Sequence, residues 1–461
     1  MKQERIELLS HAPVRQAILR LSLPVVAGMM IQVLYNLVDM FFIGLLKDAN
    51  PLAAVNISTP VFMILMALAT IVSTGSASYL SRCLGAKDYA TSNNTLTTSL
   101  LITLIISLFA MAAGLFFTPA VVRSLGAGEE YAALARGYTR VLLLGSPFIL
   151  GNYTLGQLLR AEGDAMSSVK GMLLGTAVNI VLDPLFIFAL HLGVSGAALA
   201  TVLGNALGLI YYVVVYARAS TLVHFSIRGF SLKGTVIAEI FRIGIPAALS
   251  QLLVSVAMIL TNRFVIPYGT TVVAGMGIAL KIMTMGSFIF MGFAAGCQPL
   301  VGFNYGAKNL LRVKRILKEA VKMTVFLGAV LFLLFWILGG PLINLFAHNM
   351  TAILDSGTSI LWILSISLFV LGPLMLASTF VQALGRAKAL LFLSVARQGL
   401  FFIPLLLVLS QAFGLTGVLF AQPLSDVATT AVALSLLRSL LKQEEEKANA
   451  QGPSPSSPLP S

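Results

Sequence analysis

The chain reads as an all-α polytopic membrane protein, with twelve transmembrane helices in two six-helix halves related by pseudo-two-fold symmetry. Three observations lead there. Of 461 residues, 58% are hydrophobic and only 10% charged, too few charges to cover the surface of a water-soluble protein. Apolar runs of about 20 residues, each enough to span roughly 30 Å of hydrocarbon as a helix, recur along almost the whole length. The second half also repeats landmarks of the first at an offset of 221 or 222 residues. The runs are continuous, whereas a β-barrel shows alternating segments of about 10 residues.

Residues 1–13 are a polar, amphipathic lead-in expected at the membrane interface. Met1 to His11 lacks the apolar core of a cleavable signal, and the run that follows is too long to be one. Six spans are then expected at 15–45, 52–81, 94–119, 132–159, 167–190 and 194–217. These form the first half, 14–217. A polar connection, 218–239, leads to the second half, 240–441, with spans at 240–267, 272–303, 319–347, 354–383, 387–411 and 415–441. The end, 442–461, is charged and then Pro/Ser-rich. It is expected to be disordered, because it has too little apolar surface to fold.

Orientation follows from Lys and Arg. One set of loops holds Arg82, Lys87, Arg160, Lys170, Arg218, Arg228, Lys233, Arg242, Arg386 and Lys388. The loop after the eighth span alone adds Lys308, Arg312, Lys314, Arg315, Lys318 and Lys322. The opposite loops hold little beyond Lys47, Arg123 and Arg136. By the positive-inside rule both termini are expected in the cytoplasm; the chain is expected to be a multi-pass protein of the inner (plasma) membrane. This bias also accounts for the net charge of +13, so no nucleic-acid partner is invoked.

Four repeat matches fall in order. Arg20 to Pro24 matches Arg242 to Pro246, and Gly85-Ala86-Lys87 matches Gly306-Ala307-Lys308. Ala161 to Ala165 matches Ala383 to Ala387, and Gly193 to Gly196 matches Gly414 to Gly417. Six spans is an even number, so both halves enter the membrane alike. Parallel repeats of this kind are one arrangement used for alternating access around a midplane site.

Ionisable groups at membrane depth are costly and mark functional sites. Of seven Asp, three fall well inside apolar runs: Asp39, Asp183 and Asp426. Asn179 lies four residues before Asp183, on the same helix face. Pro184 lacks an N–H and frees the carbonyl of Ile180. A carboxylate, an amide and a carbonyl within one turn suit a proton, a sodium ion or an ordered water. The same groups could instead tie helices together by hydrogen bonds.

Asp39 has Asn36 one turn before it. It is read either as a partner of Asp183 or as a helix-end aspartate near the outer interface. Two close carboxylates would each disfavour ionisation of the other. Pro24, roughly 22 Å earlier along the helix, is a hinge or a static bend shared with Pro246. Asp426 repeats Asn205 and has Arg397 or Lys281 as candidate partners; Arg263 is the third basic residue inside the second-half runs. Methionines, among them Met63, Met66, Met283 and Met291, could line an adaptable apolar cleft, or simply pack between helices.

Cys83 and Cys297 are read as buried thiols. The four histidines have no metal-ligand spacing, and neither a nucleophile–base pair nor an ATP-binding loop is present. No enzyme and no bound cofactor is expected; the ion, H+ or Na+, is transported.

Taken together, these residues resemble the multidrug and toxic compound extrusion (MATE) family, in its MepA-type bacterial branch. The resemblance covers residues 10 to 440. It rests on Pro24 with Asp39, on Asn152, on Asn179 with Asp183-Pro184, on Gly196-Ala-Ala with Thr201, and on the two Gly-Ala-Lys turns. It implies two six-helix lobes forming a V, which export cationic or amphipathic drug-like compounds in antiport with protons or sodium. By resemblance, Asp39, Asn179, Asp183 and Thr201 form a cation site in the first lobe. Asn152 is a polar partner nearby and Pro24 a bend linked to occupancy. Some members carry an acid in the seventh and tenth spans; here the seventh has Gln251 and the tenth has none. A membrane-embedded monomer contacting lipid is expected. A lipid-linked precursor flippase of the wider superfamily is the alternative, and it ranks second because few basic residues lie within the spans.

Overall fold

The computed structural model describes residues 2–44, 49–126, 128–218, 221–225, 234–347 and 350–450; the side chains of 36–41, 43–44, 49, 52 and 448 are outside that description. A short helix α1 (Lys2–Ser10) precedes the first lobe. That lobe is α2 (Val14–Gly44), α3 (Ala49–Gly85), α4 (Tyr89–Phe116), α5 (Thr118–Ser124), α6 (Glu129–Leu144), α7 (Ser146–Ala161), α8 (Ala165–Pro184) and α9 (Gly193–Ala217). The second lobe is α10 (Gly234–Val265), α11 (Thr270–Gly306), α12 (Leu310–Ala347), α13 (Thr351–Ser365), α14 (Leu368–Ala383), α15 (Ala387–Val395) and α16 (Ile403–Ala450).

Nine of the described helices are long and apolar enough to cross a membrane, and two bent pairs bring the count to eleven. The pairs are α6 with α7, bent by 50°, and α13 with α14, bent by 48°. Pro147, in the first turn of α7, is where proline fits: its missing N–H is an orphan there anyway. The 61-residue stretch Ala387–Lys447 supplies the twelfth span. It folds back at Gly414, whose φ of 59° and ψ of −134° interrupt α16.

The repeat is visible in the backbone. Lys87 and Lys308 have φ of 59° and 57°, Gly163 and Gly385 have 82° and 70°, and Gly193 and Gly414 have 54° and 59°. Matched sequence positions therefore adopt matched left-handed turns, which L residues seldom do. The span before the last hairpin of each lobe also contains a π-helical segment, Leu185–Ala189 in the first and Ala396–Phe402 in the second.

The lobes meet by exchange: α2 packs on α11, and α3 on α10. Here backbones touch. A Cβ on Gly75 would fall 2.0 Å from the Ile240 carbonyl oxygen, and one on Gly244 would fall 1.8 Å from that of Ile71. Towards the Gly-Ala-Lys turns, a Cβ on Gly85 would fall 1.9 Å from the Phe303 carbonyl oxygen, and one on Gly306 would fall 1.9 Å from that of Arg82. Small residues permit such approach in membrane helices. The Arg82 guanidinium then reaches Glu239 across the seam at 2.8 Å.

Both described chain ends lie on that same face. Asn304 Nδ2 donates to the Leu9 carbonyl at 2.8 Å, and Tyr305 Oη donates to Glu444 at 2.9 Å. The lead-in helix α1 is docked on the protein, with Leu9 fully buried and Arg5 paired to Asp164 at 2.5 Å.

Two boundaries differ from expectation. Helix α16 runs on to Ala450, so residues 442–450 are helical and not a disordered tail. Glu444 is paired with Arg386 and Lys447, and Glu445 with Lys314; these ion pairs hold a polar extension that lacks apolar surface. Residues 451–461 are outside the described part. The expected connection 218–239 is shortened by α10, which starts at Gly234.

Candidate cation and substrate sites

The first-lobe cluster is assembled where α8 crosses α9. A Cβ on Gly204 would lie 2.5 Å from the Gly175 carbonyl oxygen, and one on Gly175 would lie 2.7 Å from that of Gly204. The crossing is thus backbone on backbone, and it sets the polar faces of the two helices against each other. One turn on, Gly208 leaves room for Asn152 of α7, whose Oδ1 would be 2.5 Å from a Cβ there.

Three of the expected residues are linked by hydrogen bonds, one unexpected residue joins them, and Asp183 lies one turn after Asn179 on α8. Asn179 Nδ2 donates to Thr201 Oγ1 at 3.4 Å. Asn152 Nδ2 donates to Asn205 Oδ1 at 2.9 Å, and Asn205 Nδ2 donates to the Thr201 carbonyl at 2.8 Å. Asn179 is 3% exposed and Asp183 0%. Asn205 thus links Asn152 to Thr201. The signal for it was in the sequence, since it follows Thr201 by four residues on one helix face.

Pro184 ends the regular part of α8, and the chain continues as the π-helical segment Leu185–Ala189. A proline removes an N–H donor, and a π turn absorbs the mismatch. Pro24 is held inside an unbroken α2. The side chains of Asp39 and Asn36 lie outside the described residues, although their backbone belongs to α2.

The expected cleft residues separate into two groups. Met66 packs on the first-lobe core and Met283 on the second-lobe core. Met63 and Met291 are exposed, at 50% and 40%. Met63 meets the second lobe, where Ser255 Oγ lies 3.9 Å from its sulfur and 3.3 Å from the Gln251 carbonyl.

Asp426 chooses between its two candidate partners. Arg397 Nε donates to Asp426 Oδ1 at 2.9 Å, and Gln422 Nε2 donates to the same oxygen at 2.9 Å. Lys281 is exposed on α11.

Glu162 was not singled out by sequence. It follows α7 and is 0% exposed. Its Oε2 accepts from the backbone N–H groups of Leu222 and Val223 at 2.8 and 3.4 Å, while Asn93 Oδ1 accepts from the His224 N–H at 2.8 Å. The connection between the lobes is therefore fastened to the first lobe. Burial pushes the Glu162 carboxyl up to about 7 from 4.5, against the lowering effect of Tyr216, the two backbone N–H groups and Arg5.

A duplicated six-span helical unit, with polar side chains gathered beside the first copy's Asp-Pro span, has the architecture of a secondary transporter. Known proteins agree with that class. A family model for MatE matches residues 24–185 and again 246–408, one match per lobe. The chain is 31% identical to multidrug export protein MepA of Staphylococcus aureus (strain bovine RF122 / ET3-1) over 442 residues, 96% of this chain and 97% of that one. It is also 31% identical to MepA of Staphylococcus haemolyticus (strain JCSC1435), covering 95% and 97%. A solved structure described as the outward-facing conformation of a multidrug resistance MATE family transporter superposes with a TM-score of 0.91 at 30% identity, covering 95% of this chain and 98% of that one. The chain belongs to the MATE family.

Proposed function

We propose that this protein exports cationic or amphipathic drug-like compounds in antiport with protons or sodium, by alternating access of its two lobes. The observation that carries the reading is the first-lobe polar cluster: Asn152, Asn205, Thr201 and Asn179 joined by hydrogen bonds and half-buried or buried, with the buried Asp183 one turn beyond Asn179. It offers a carboxylate, amides and a hydroxyl within an apolar bundle, a donor set that suits a small cation. The names of the staphylococcal relatives support the substrate class. Asp39, on the same lobe, is proposed as the second carboxylate of the site, with Pro24 and Pro184 as the bends that respond to its occupancy.

Coupling needs a difference in affinity between states. The cation favours one arrangement of the first lobe, and drug in the cleft favours the arrangement that releases it. Met63, Met291, Gln251 and Asn36 are proposed to line the cleft, with Met66 and Met283 behind them in the lobe cores. The backbone-close seam at the face bearing the chain ends is the closed gate of an outward-open state; that face is assigned to the cytoplasm by its basic residues.

The test is export of a fluorescent cationic dye from vesicles, with proton and sodium gradients imposed separately. One gradient should drive export in the wild type. Asp183→Asn, at equal insertion, should lower gradient-driven export at least tenfold. Undiminished, gradient-dependent export by this variant would sink the reading.

A further inference from the structure

The repeat register sets Thr201 against Gln422 and Asn205 against Asp426, each at an offset of 221. The matched turns at Gly193 and Gly414, which open the spans carrying these residues, confirm that register in the backbone. The second lobe therefore has a polar site of its own where the first lobe has Thr201 and Asn205. Its content is different. The Asp426 side chain is 2% exposed and receives both the Arg397 guanidinium and the Gln422 amide on one oxygen. Ser425 Oγ donates to the Arg397 carbonyl at 2.6 Å, so the turn bearing the carboxylate is tied to the turn bearing the guanidinium. Arg397 lies in the π-helical segment Ala396–Phe402. Among the described residues Arg397 is the one charged group recorded against Asp426; Arg263, Lys281, Asp355 and Arg438 of the same lobe are exposed.

We infer that Arg397 is a built-in cation: its guanidinium fills, in the second lobe, the charge role that a transported ion fills in the first, and so confines ion coupling to the first lobe. A guanidinium stays charged at any accessible pH and, being covalently attached, cannot leave. Asp426 is thus neutralised in every state of the cycle and gives the second lobe no ion-dependent preference. Arg397 is a positioning residue with respect to transport, since it sets the stoichiometry without touching the first-lobe site. The inference rests on the antiport reading above.

The experiment is simultaneous measurement of dye and cation flux in vesicles, for the wild type, Arg397→Lys, Arg397→Gln and the double variant Arg397→Gln/Asp426→Asn. Without its guanidinium, Asp426 must take a mobile cation to be neutral at that depth. Arg397→Gln should therefore raise the cation-to-dye ratio roughly twofold, as a second buried carboxylate becomes a binding site. Arg397→Lys and the double variant should keep the wild-type ratio. A merely structural tie would alter rate or expression and leave the ratio alone. The inference is overturned if Arg397→Gln transports at the wild-type ratio, or if the double variant departs from it. Should Arg397→Gln insert poorly, Arg397→Met in the same vesicles takes its place: a raised ratio supports the built-in cation and an unchanged one overturns it. Asp183→Asn in the same vesicles tests the antiport reading separately, because its outcome does not depend on Arg397.

Discussion

The two lobes share a backbone plan and differ in what they bury. Where the first lobe places Asn205, hydrogen-bonded to an amide at 2.9 Å, the second places Asp426 against a guanidinium at 2.9 Å. Where the first crosses helices at Gly204, the second has Ser425, bonded to the Arg397 carbonyl. Where the first turns at Glu162, the second has Leu384, 3% exposed. A duplicated fold keeps its turns, and Pro24 with Pro246, because the scaffold needs them twice. Its polar interior is free to diverge, and divergence is where one copy can specialise in ion coupling while the other becomes a counterweight.

Substitutions at matched positions break this comparison most sharply. Asp426→Ala leaves a guanidinium in the span without its carboxylate, and removing one partner of a buried pair costs about 3–5 kcal/mol. Asn205→Ala removes neutral hydrogen bonds instead, at about 1–3 kcal/mol for the groups left behind. Thermal unfolding midpoints in detergent should therefore fall further for Asp426→Ala; equal losses would mean that the second-lobe pair is not charged as argued.

The Glu162 and Leu384 pair predicts a pH dependence. The folded carboxyl sits near 7, above its ordinary 4.5, so the folded state holds the proton more tightly. Its contribution is fully present below about 4.5 and is lost as pH rises through about 7. The shift corresponds to about 3 kcal/mol. Glu162→Gln should flatten stability between these pH values and raise it at pH 8, while Leu384→Met should leave the slope untouched. A slope that persists in Glu162→Gln would assign it to another group.

Gly204→Ala drives a methyl against the Gly175 carbonyl and should cost about 1–3 kcal/mol by overpacking, together with loss of dye export as the Asn179–Thr201 contact opens. The smallest effect is expected at its counterpart. Ser425→Ala loses one hydrogen bond, worth about 1 kcal/mol, and export should stay within twofold of the wild type. A larger defect for Ser425→Ala than for Gly204→Ala in the dye assay would reverse the assignment of the working site to the first lobe.

Much of this architecture was legible beforehand, because it is written in local or periodic signals. Hydropathy is a property of each segment alone, and it located the spans. The offset of 221 or 222 aligned turns that prove to share left-handed φ values. Asn179 and Asp183 were found because four residues on a helix share a face. The helical continuation to Ala450 was missed because its support comes from Arg386 and Lys314, 58 and 131 residues away in sequence. Asn205 follows Thr201 by four residues, but nothing local in the sequence shows that its amide reaches Asn152. Glu162 gave no signal at all, since its partners are backbone N–H groups about 60 residues on.

The sequence by itself determined that this chain crosses a membrane, that it does so in two copies of one six-span unit, and that buried carboxylates are its costly residues. Those follow from composition, run length and repetition, which need no knowledge of neighbours. Only the tertiary structure decided that Arg397 and not Lys281 neutralises Asp426, that Asn205 bridges Asn152 to Thr201, and that glycines bring the lobes into backbone contact. Each of these depends on which helix faces meet, and that is set by packing across the whole molecule.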